Sequence, residues 1–283
     1  MKLSNVMSGA ALTVILSMSI SNGMAQSTSQ TDLHCAPKKQ FYQTESVDRL
    51  PLAHPHVHEK DIFWEKRVWR EIDVRQKFNQ RFNDENNPLI KIILAAYQKN
   101  KIKLYSTEKE DFSLLLDRKT LNDELFGQDT TMIIDPETME EEMVVVQNEF
   151  DPSSIVRYRI KEVWYFDEER SSLSVRILGI APIIRRTDER GNTLNEGPLF
   201  WVYYPECRNY LHSEMAHNPH NDYAHLSWTD VFDARMFHSY IVKTNNVHNN
   251  RIQDYIADPT GRLVEAQKIH EEIRNFEQDL WSN

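Results

Sequence analysis

The apolar positions near the start of the folded region recur with the spacing of a helix. Between residues 61 and 82, large apolar side chains lie four residues apart at Trp64, Val68 and Ile72. Side chains at this interval share one face of an α-helix. The pattern therefore predicts an amphipathic helix at the start of the domain.

Three further elements are predicted before the middle of the chain. Pro88 is suited to a first helical position, and the apolar residues after it predict a second helix that continues through Tyr97. Alternation over residues 101–105 predicts a short strand, and residues 111–126 predict one or two helical turns.

The middle of the chain has the pattern of β-strands. Short apolar or β-branched runs at residues 132–135 and 143–147 flank an acidic connection, and strands are predicted at 156–166, 173–184 and 199–204. Because charged turns join these runs, consecutive strands are expected to pair as an antiparallel meander.

The C-terminal region returns to a helical period. Apolar residues spaced three or four apart run from Leu263 to Leu280, and charged residues occupy the other face. Helices, a meander and then a helix predict an α+β fold, with an antiparallel β-meander packed against N-terminal and C-terminal helices.

The N-terminal residues predict export. Lys2, an apolar run too short to span a bilayer and the small residues up to Ala25 are typical of a signal peptide over residues 1–25. Residues 26–58 mix polar, charged and proline residues without a period, which predicts a flexible extended arm. We therefore expect a soluble mature protein, with a single α+β domain over residues 59–283.

The charge balance disfavours anionic partners. The chain carries a formal net charge of −10, and removal of residues 1–25 with Lys2 makes it −11. An acidic protein is poorly suited to nucleic acid or to an anionic membrane surface, and no later segment is apolar enough for direct membrane insertion.

The two cysteines, Cys35 and Cys207, could form a disulfide in an oxidising compartment or remain free thiols.

A histidine-rich stretch is the strongest candidate for a metal site. His212, His217, His220 and His225 lie within fourteen positions, with Asp222 between them and Cys207 upstream. Pro219 and the asparagines around it predict a loop, whereas zinc requires three or four ligands that converge. A solvated loop is the preferred interpretation, and a metal-binding protein or metal-dependent hydrolase is the alternative. The alternating histidines at 54, 56 and 58 are interpreted in the same way.

One carboxylate is predicted among apolar side chains. If the strand at residues 156–166 alternates without interruption, Glu162 shares a face with Tyr158, Ile160 and Trp164. An unpaired buried charge is unfavourable, so Glu162 is expected to pair with Arg176 on the returning strand. A general acid with a raised pKa is the functional alternative, but no second catalytic group is evident.

The chain also lacks a complete catalytic motif. Ser106 and Lys109 spell S-x-x-K without the other motifs of serine acyl enzymes, and no H-E-x-x-H occurs. We therefore expect no enzymatic activity and no cofactor.

Several longer stretches resemble one known family. They are VWREIDVRQKFN (68–79), IKEVWYFDEERSSLSVRILGIAPIIRR (160–186), PLFWVYYPECR (198–208), DVFDARMFHSYIVKTNNVHNNRIQDYI (230–256) and EQDLW (277–281). Together they resemble, in order from about residue 60 to 281, the GldN/PorN family of gliding motility and type IX secretion proteins of Bacteroidota.

This resemblance implies a function that composition and spacing do not indicate. It implies a periplasmic, non-enzymatic subunit that assembles with an outer-membrane lipoprotein, GldK/PorK, into a ring at the periplasmic face of the outer membrane. It also implies coupling to the motor proteins GldL and GldM/PorM. The family supplies no metal-binding histidines for residues 212–225.

Overall fold

The structure is a computed structural model that describes residues 50–125, 128–134, 141–147, 150–187, 193–219, 221 and 225–281. All of them belong to one compact unit, Asp48–Asn283. The predicted signal peptide and most of the predicted arm lie outside the described residues.

The described residues form strands β1 (Ile62–Asp73), β2 (Leu104–Tyr105), β3 (Gln128–Ile134), β4 (Glu141–Gln147), β5 (Ile155–Asp167), β6 (Ser172–Thr187), β7 (Thr193–Pro198), β8 (Trp201–Tyr203) and β9 (Tyr240–Thr244). The helices are α1 (Leu89–Gln98), α2 (Arg118–Leu125), α3 (Tyr204–Ser213), α4 (Trp228–Asp233), α5 (Ile252–Tyr255) and α6 (Pro259–Trp281). Short 3₁₀ segments occur at Glu59–Asp61, Lys77–Asn83 and Pro152–Ser154.

A seven-stranded antiparallel sheet is the centre of the fold. Its order is β2-β8-β6-β5-β1-β9, and β7 also pairs with β6. Strands β3 and β4 form a separate two-stranded sheet. The predicted α+β class is confirmed, because an antiparallel sheet built from the middle of the chain packs with helices on either side in sequence.

The predicted first helix is wrong. Residues 62–73 form strand β1, and the 3₁₀ segment Lys77–Asn83 follows it. Positions four apart satisfy a helical period, but they also lie on one face of a strand, where side chains alternate with period two. Trp64, Val68 and Ile72 therefore share a face in either structure, and the spacing does not distinguish them.

The other predicted elements are found with shifted ends. Helix α1 begins at Leu89, with Pro88 as its N-cap residue, and α2 occupies the region of predicted helical turns. The pairs β3–β4 and β5–β6 are antiparallel as predicted. The strand predicted at 199–204 is shorter, because Tyr204 begins α3, and the short strands β7 and β9 were not predicted.

One face of the sheet packs against the helices and is called here the helix-covered face. The register of β1 with β5 places Val68 opposite Glu162 and Ile72 opposite Tyr158 on this face. The main core packs there between the sheet and helices α1, α3 and α4. At its centre the ring of Phe82 contacts four aromatic rings: Tyr158, Trp228, Phe232 and Phe237.

Helix α6 covers a second, smaller apolar cluster on the same face. Ala266, Ile269 and Ile273 of α6 pack with Val68 and with Ile241 of β9. Phe276 stacks on Trp64 with ring centroids 4.6 Å apart. The long C-terminal helix thus packs against β1, β5 and β9 and not against the main core.

The opposite face of the sheet is called here the charged face. It carries Trp69 and Glu71 from β1, which lie opposite Lys161 and Arg159 of β5, and it also carries Arg157 of β5. Four of these five side chains are charged, so this face differs from an ordinary apolar sheet face.

Candidate functional site

The histidine-rich stretch does not form a loop throughout. His212 belongs to helix α3, and its Nδ1 lies 3.2 Å from the hydroxyl of Ser227. His217 and His225 are exposed, whereas His220 and Asp222 lie outside the described residues. Within the described part of the chain, no group of three or more His, Cys, Asp or Glu side chains is placed to hold a metal ion.

The second histidine group lies on the end of the arm that approaches the sheet. The rings of His56 and His58 are 4.5 Å apart, and the carbonyl of Pro55 accepts a hydrogen bond from Arg176. Residues 54–57 line a shallow groove with Val163 and Tyr165 of β5. This part of the arm therefore lies along the charged face of the sheet.

Cys207 is buried in helix α3 and forms no disulfide with any residue that the structure describes. Its Sγ donates a hydrogen bond to the carbonyl of Tyr204 at 3.2 Å, and burial raises the pKa of the thiol well above its ordinary value. A disulfide with Cys35 stays a prediction, because Cys35 lies outside the described residues.

Glu162 is fully enclosed on the helix-covered face, as the strand alternation predicted. Its carboxylate accepts hydrogen bonds from Arg235 at 2.8 and 3.3 Å and from the indole of Trp164 at 3.2 Å. Both oxygens are engaged, which favours a structural role for this carboxylate.

The predicted pairing of Glu162 with Arg176 is wrong. Arg176 lies opposite Val163, on the charged face, and donates instead to the hydroxyl of Tyr165 at 3.1 Å. The register of β5 with β6 shifts between Lys161 and Glu162, so Ile177 becomes the neighbour of Glu162. A one-residue shift moves a side chain to the other face of a sheet, and sequence alone does not reveal it.

The partner Arg235 comes from the end of helix α4. It has a φ of 53°, the left-handed conformation that commonly ends a helix and that favours glycine. Its guanidinium lies over the rings of Trp164 and Phe237, 5.4 Å from each centroid. The ion pair and these two stacking contacts oppose the backbone strain at this position.

Two more basic side chains surround this ion pair. Arg70 donates to the hydroxyl and carbonyl of Ser239, and burial lowers the pKa of Arg70 although Glu162 opposes the shift. His270 of α6 has a buried Nδ1 with no hydrogen-bond partner among the described residues. Burial lowers the pKa of His270, and the charges of Arg70, Arg274 and Arg235 lower it further.

We expect the protein to lose stability as the pH falls through the range in which His270 titrates. Because the folded state holds the pKa of His270 below 6.5, protons bind more readily to the unfolded chain, and stability decreases once the pH falls below about 6.5. Urea unfolding between about pH 7.5 and 5 should therefore show a shallower decline for His270→Gln than for the unchanged protein. The exposed His248→Gln is the control, and equal pH slopes for the two variants would contradict the expectation.

The charged face contains a continuous network of ion pairs. Glu71 accepts from Arg159 at 2.6 and 3.0 Å and lies 3.1 Å from the Nε of Arg157. Arg157 also pairs with Glu196 of β7, which accepts in turn from Arg185 at 2.7 Å. Charged side chains thus connect strands β1, β5, β6 and β7.

Further along the same face, two lysines lie against an aromatic ring. Lys161 and Lys243 approach the ring of Trp69, with Nζ atoms 5.5 and 4.3 Å from its centroid. Glu110 accepts from Lys243 at 2.7 Å, and its carbonyl accepts from Lys161. Burial lowers the pKa of Lys161, and Glu110 partly opposes the shift.

Phe112 closes the apolar part of this face. Its ring packs edge-on against Trp201 and Tyr105, although its φ of 59° is unfavourable for a bulky side chain. The close approach depends on Gly179 of β6, because a Cβ at that position would lie 2.5 Å from Phe112 Cζ. The glycine leaves room for the ring directly over the strand.

Gly179→Ala is therefore expected to displace Phe112 and lower the free energy of unfolding by about 1–3 kcal/mol, as overpacking commonly does. Gly197→Ala in β7 is the matched control, since a Cβ there meets no atom within 4 Å. Urea unfolding of the two variants measures the difference. Indistinguishable midpoints would show that the space over Gly179 is not required.

The sequence pattern indicates one side of the charged face but not the other. The alternation of Arg157, Arg159 and Lys161 with apolar residues is visible in the sequence. Glu71, the partner of Arg157 and Arg159, lies in a segment whose spacing predicts a helix. Glu196 lies on a strand whose polar sequence gives little β signal. The network as a whole becomes apparent only from the strand order.

Among the described residues, no helix is long and apolar enough to cross a membrane. No curated protein matches the chain with significant similarity. The sequence profile of the family described as Gliding motility associated protein GldN matches residues 57–282. Because this match covers well over half of the chain, the protein belongs to the GldN family of gliding motility associated proteins.

Proposed function

We propose that the chain is a non-enzymatic structural subunit of the gliding motility and type IX secretion machinery. In this proposal it is exported by residues 1–25 and acts in the periplasm as a single domain over residues 59–283. It assembles with an outer-membrane lipoprotein of the GldK/PorK type into a ring and is coupled to the motor proteins GldL and GldM/PorM. The observation that carries the proposal is the family match over residues 57–282.

The arm is the part of the chain proposed to contact the lipoprotein. At its described end, Leu50 and Leu52 are 85% and 88% exposed, and neither belongs to an apolar cluster of the domain. An extended segment with exposed apolar side chains can become ordered on a partner, and the ordering entropy limits association of the free subunit. We therefore expect the isolated mature protein to be monomeric or weakly associated.

Residues 54–57 of the arm already lie along the sheet. Arg176 donates to the carbonyl of Pro55, and residues 54–57 line a groove together with Val163 and Tyr165. Deletion of residues 26–58 would remove these contacts, so its effects would mix loss of partner contacts with changes on the sheet. Deletion of residues 26–53 removes Leu50 and Leu52 and keeps the contacts of residues 54–57.

Co-expression with the lipoprotein is expected to give ring-sized particles, whereas the mature protein alone elutes near its monomer mass. Size-exclusion chromatography and negative-stain imaging compare the two preparations. A ring needs two complementary patches on every subunit. If the co-expressed proteins elute separately, the proposed assembly with the lipoprotein is wrong.

The role of the arm is tested in the same assay. Deletion of residues 26–53, and the double substitution Leu50→Ser and Leu52→Ser, should each weaken binding to the lipoprotein, while circular dichroism shows an intact domain. Leu194→Ser with Val247→Ser is the matched control, since both side chains are exposed elsewhere on the domain. Unchanged binding by the arm variants would reject the arm contact alone and leave the ring proposal standing.

A further inference from the structure

A cavity of about 490 Å³ lies at one end of the charged face. It is lined by residues of strands β1, β5, β6, β7 and β9, of helix α5 and of the first turns of α6. Its apolar lining consists of Ile183, Ile241, Val242, Ile252, Pro259 and Leu263. This volume is in the range of sites that hold small organic ligands, about 300–1,000 Å³.

Four arginines and two glutamates line the same cavity. The two carboxylates already have partners on the sheet. Glu71 accepts from Arg159 and from the hydroxyl of Tyr240, and Glu196 accepts from Arg185 and pairs with Arg157. These glutamates therefore neutralise the arginines of β5 and offer little to the remaining two arginines.

Those remaining arginines, Arg251 and Arg262, approach from the helical side. Arg262 donates to the carbonyls of Ile256 and Ala257 at 2.8 and 2.6 Å, which fixes its position without neutralising its charge. In the part of the chain that the structure describes, no carboxylate lies within ion-pair distance of either guanidinium. The charged side chains of the lining thus sum to a net positive cavity.

Of the four arginines, Arg251 has the fewest side-chain hydrogen bonds and ion pairs among the described residues. Burial lowers its pKa and the charge of Arg159 lowers it further, while the carboxylates of Glu110, Glu71 and Asp254 oppose the shift. The carboxylate of Asp254 accepts from the backbone N–H of Arg251, not from its side chain. An anion in the cavity would relieve the repulsion between Arg251 and Arg159.

We propose that this cavity binds a small carboxylate attached to an apolar group, such as the C-terminal carboxylate of a peptide that ends in an aliphatic residue. The planar guanidinium of Arg251 presents paired N–H donors that match the two oxygens of a carboxylate. The aliphatic lining from β6, β9 and α5 contacts the apolar group. This binding site is independent of the proposed ring assembly.

The test uses the mature protein and three probes in isothermal titration calorimetry: N-acetyl-alanyl-leucine, its C-terminal amide and inorganic phosphate. The acid is expected to bind saturably. The amide, which lacks the charge, is expected to bind at least about tenfold more weakly than the acid. Arg251→Gln should weaken binding of the acid by a similar factor. Arg274→Gln, an exposed arginine on α6 outside the cavity, should leave it unchanged.

Each alternative outcome contradicts a defined part of the inference. Equal binding of acid and amide, or no heat with either up to roughly 10 mM, would reject a carboxylate site. If Arg251→Gln binds the acid as well as the unchanged protein does, with an unchanged circular dichroism spectrum, Arg251 does not belong to the carboxylate site. Phosphate that binds as tightly as the acid and competes with it would identify a general anion site and overturn the apolar half of the proposal.

Discussion

Replacing Glu162 by Ala is expected to lower the free energy of unfolding by about 3–5 kcal/mol, which is typical for removal of one partner from a buried ion pair. Glu162 is 0% exposed, and its loss leaves Arg235 and Arg70 close together with no carboxylate between them. The cost arises mainly from the uncompensated positive charge and less from the contact that is lost.

Urea unfolding followed by circular dichroism measures this change. If the dependence of the unfolding free energy on urea concentration is unaltered, the variant exposes the same surface on unfolding as the unchanged protein. The control is Glu65→Gln, which removes an ion pair with Arg67 at the surface and should change stability by less than about 1 kcal/mol. A double variant, Glu162→Leu with Arg235→Met, should recover part of the loss because no unpaired charge of this pair remains. Equal midpoints for Glu162→Ala and the control would disprove the structural role.

Phe82→Ala is expected to have an effect of similar size, about 3–5 kcal/mol, because it empties the centre of the main core. The ring is 0% exposed and lies 5.2 to 6.5 Å, centroid to centroid, from four other aromatic rings. Removing it forfeits both the buried apolar area and the edge-to-face contacts with Trp228 and Phe232.

The matched control for Phe82 is Phe63→Ala, since Phe63 is 61% exposed on strand β1. Substitutions at exposed positions usually change stability by less than about 0.5 kcal/mol. Thermal unfolding should separate the two variants by roughly 10 °C for a domain of this size. If both variants melt within a degree or two of each other, the packing around Phe82 does not stabilise the domain as proposed.

The sequence predicted the fold class because most strands and helices carry a local signal. The alternation in β5 and the three-to-four spacing in α6 each depend only on neighbouring residues. Strand β1 was misassigned because its apolar residues lie four apart, a spacing that is compatible with both a helix and a strand. Lys66 and Arg70 occupy the remaining positions of that face and hide the alternation.

The candidate sites depended on contacts between distant parts of the chain, and these were not predictable. Burial of Glu162 followed from the local alternation, but its partner Arg235 lies 73 residues away in sequence. The cavity combines arginines of β5 with Arg251, the N-cap residue of α5, and Arg262 of α6, and nothing in these segments alone marks them as neighbours. Periodicity identifies a face, whereas strand order and register determine what that face meets.

The position of β1 in the sheet also determines the order in which the chain can fold. Val68 pairs with Glu162 on one side and with Thr244 on the other, partners that lie 94 and 176 positions later in the sequence. During synthesis β1 therefore emerges first but has no neighbour until β5 and then β9 follow. Pairings over such separations close large loops, so folding is slow relative to helical domains of similar size. Until β9 is added, β1 presents an unpaired strand edge that is open to association with other chains.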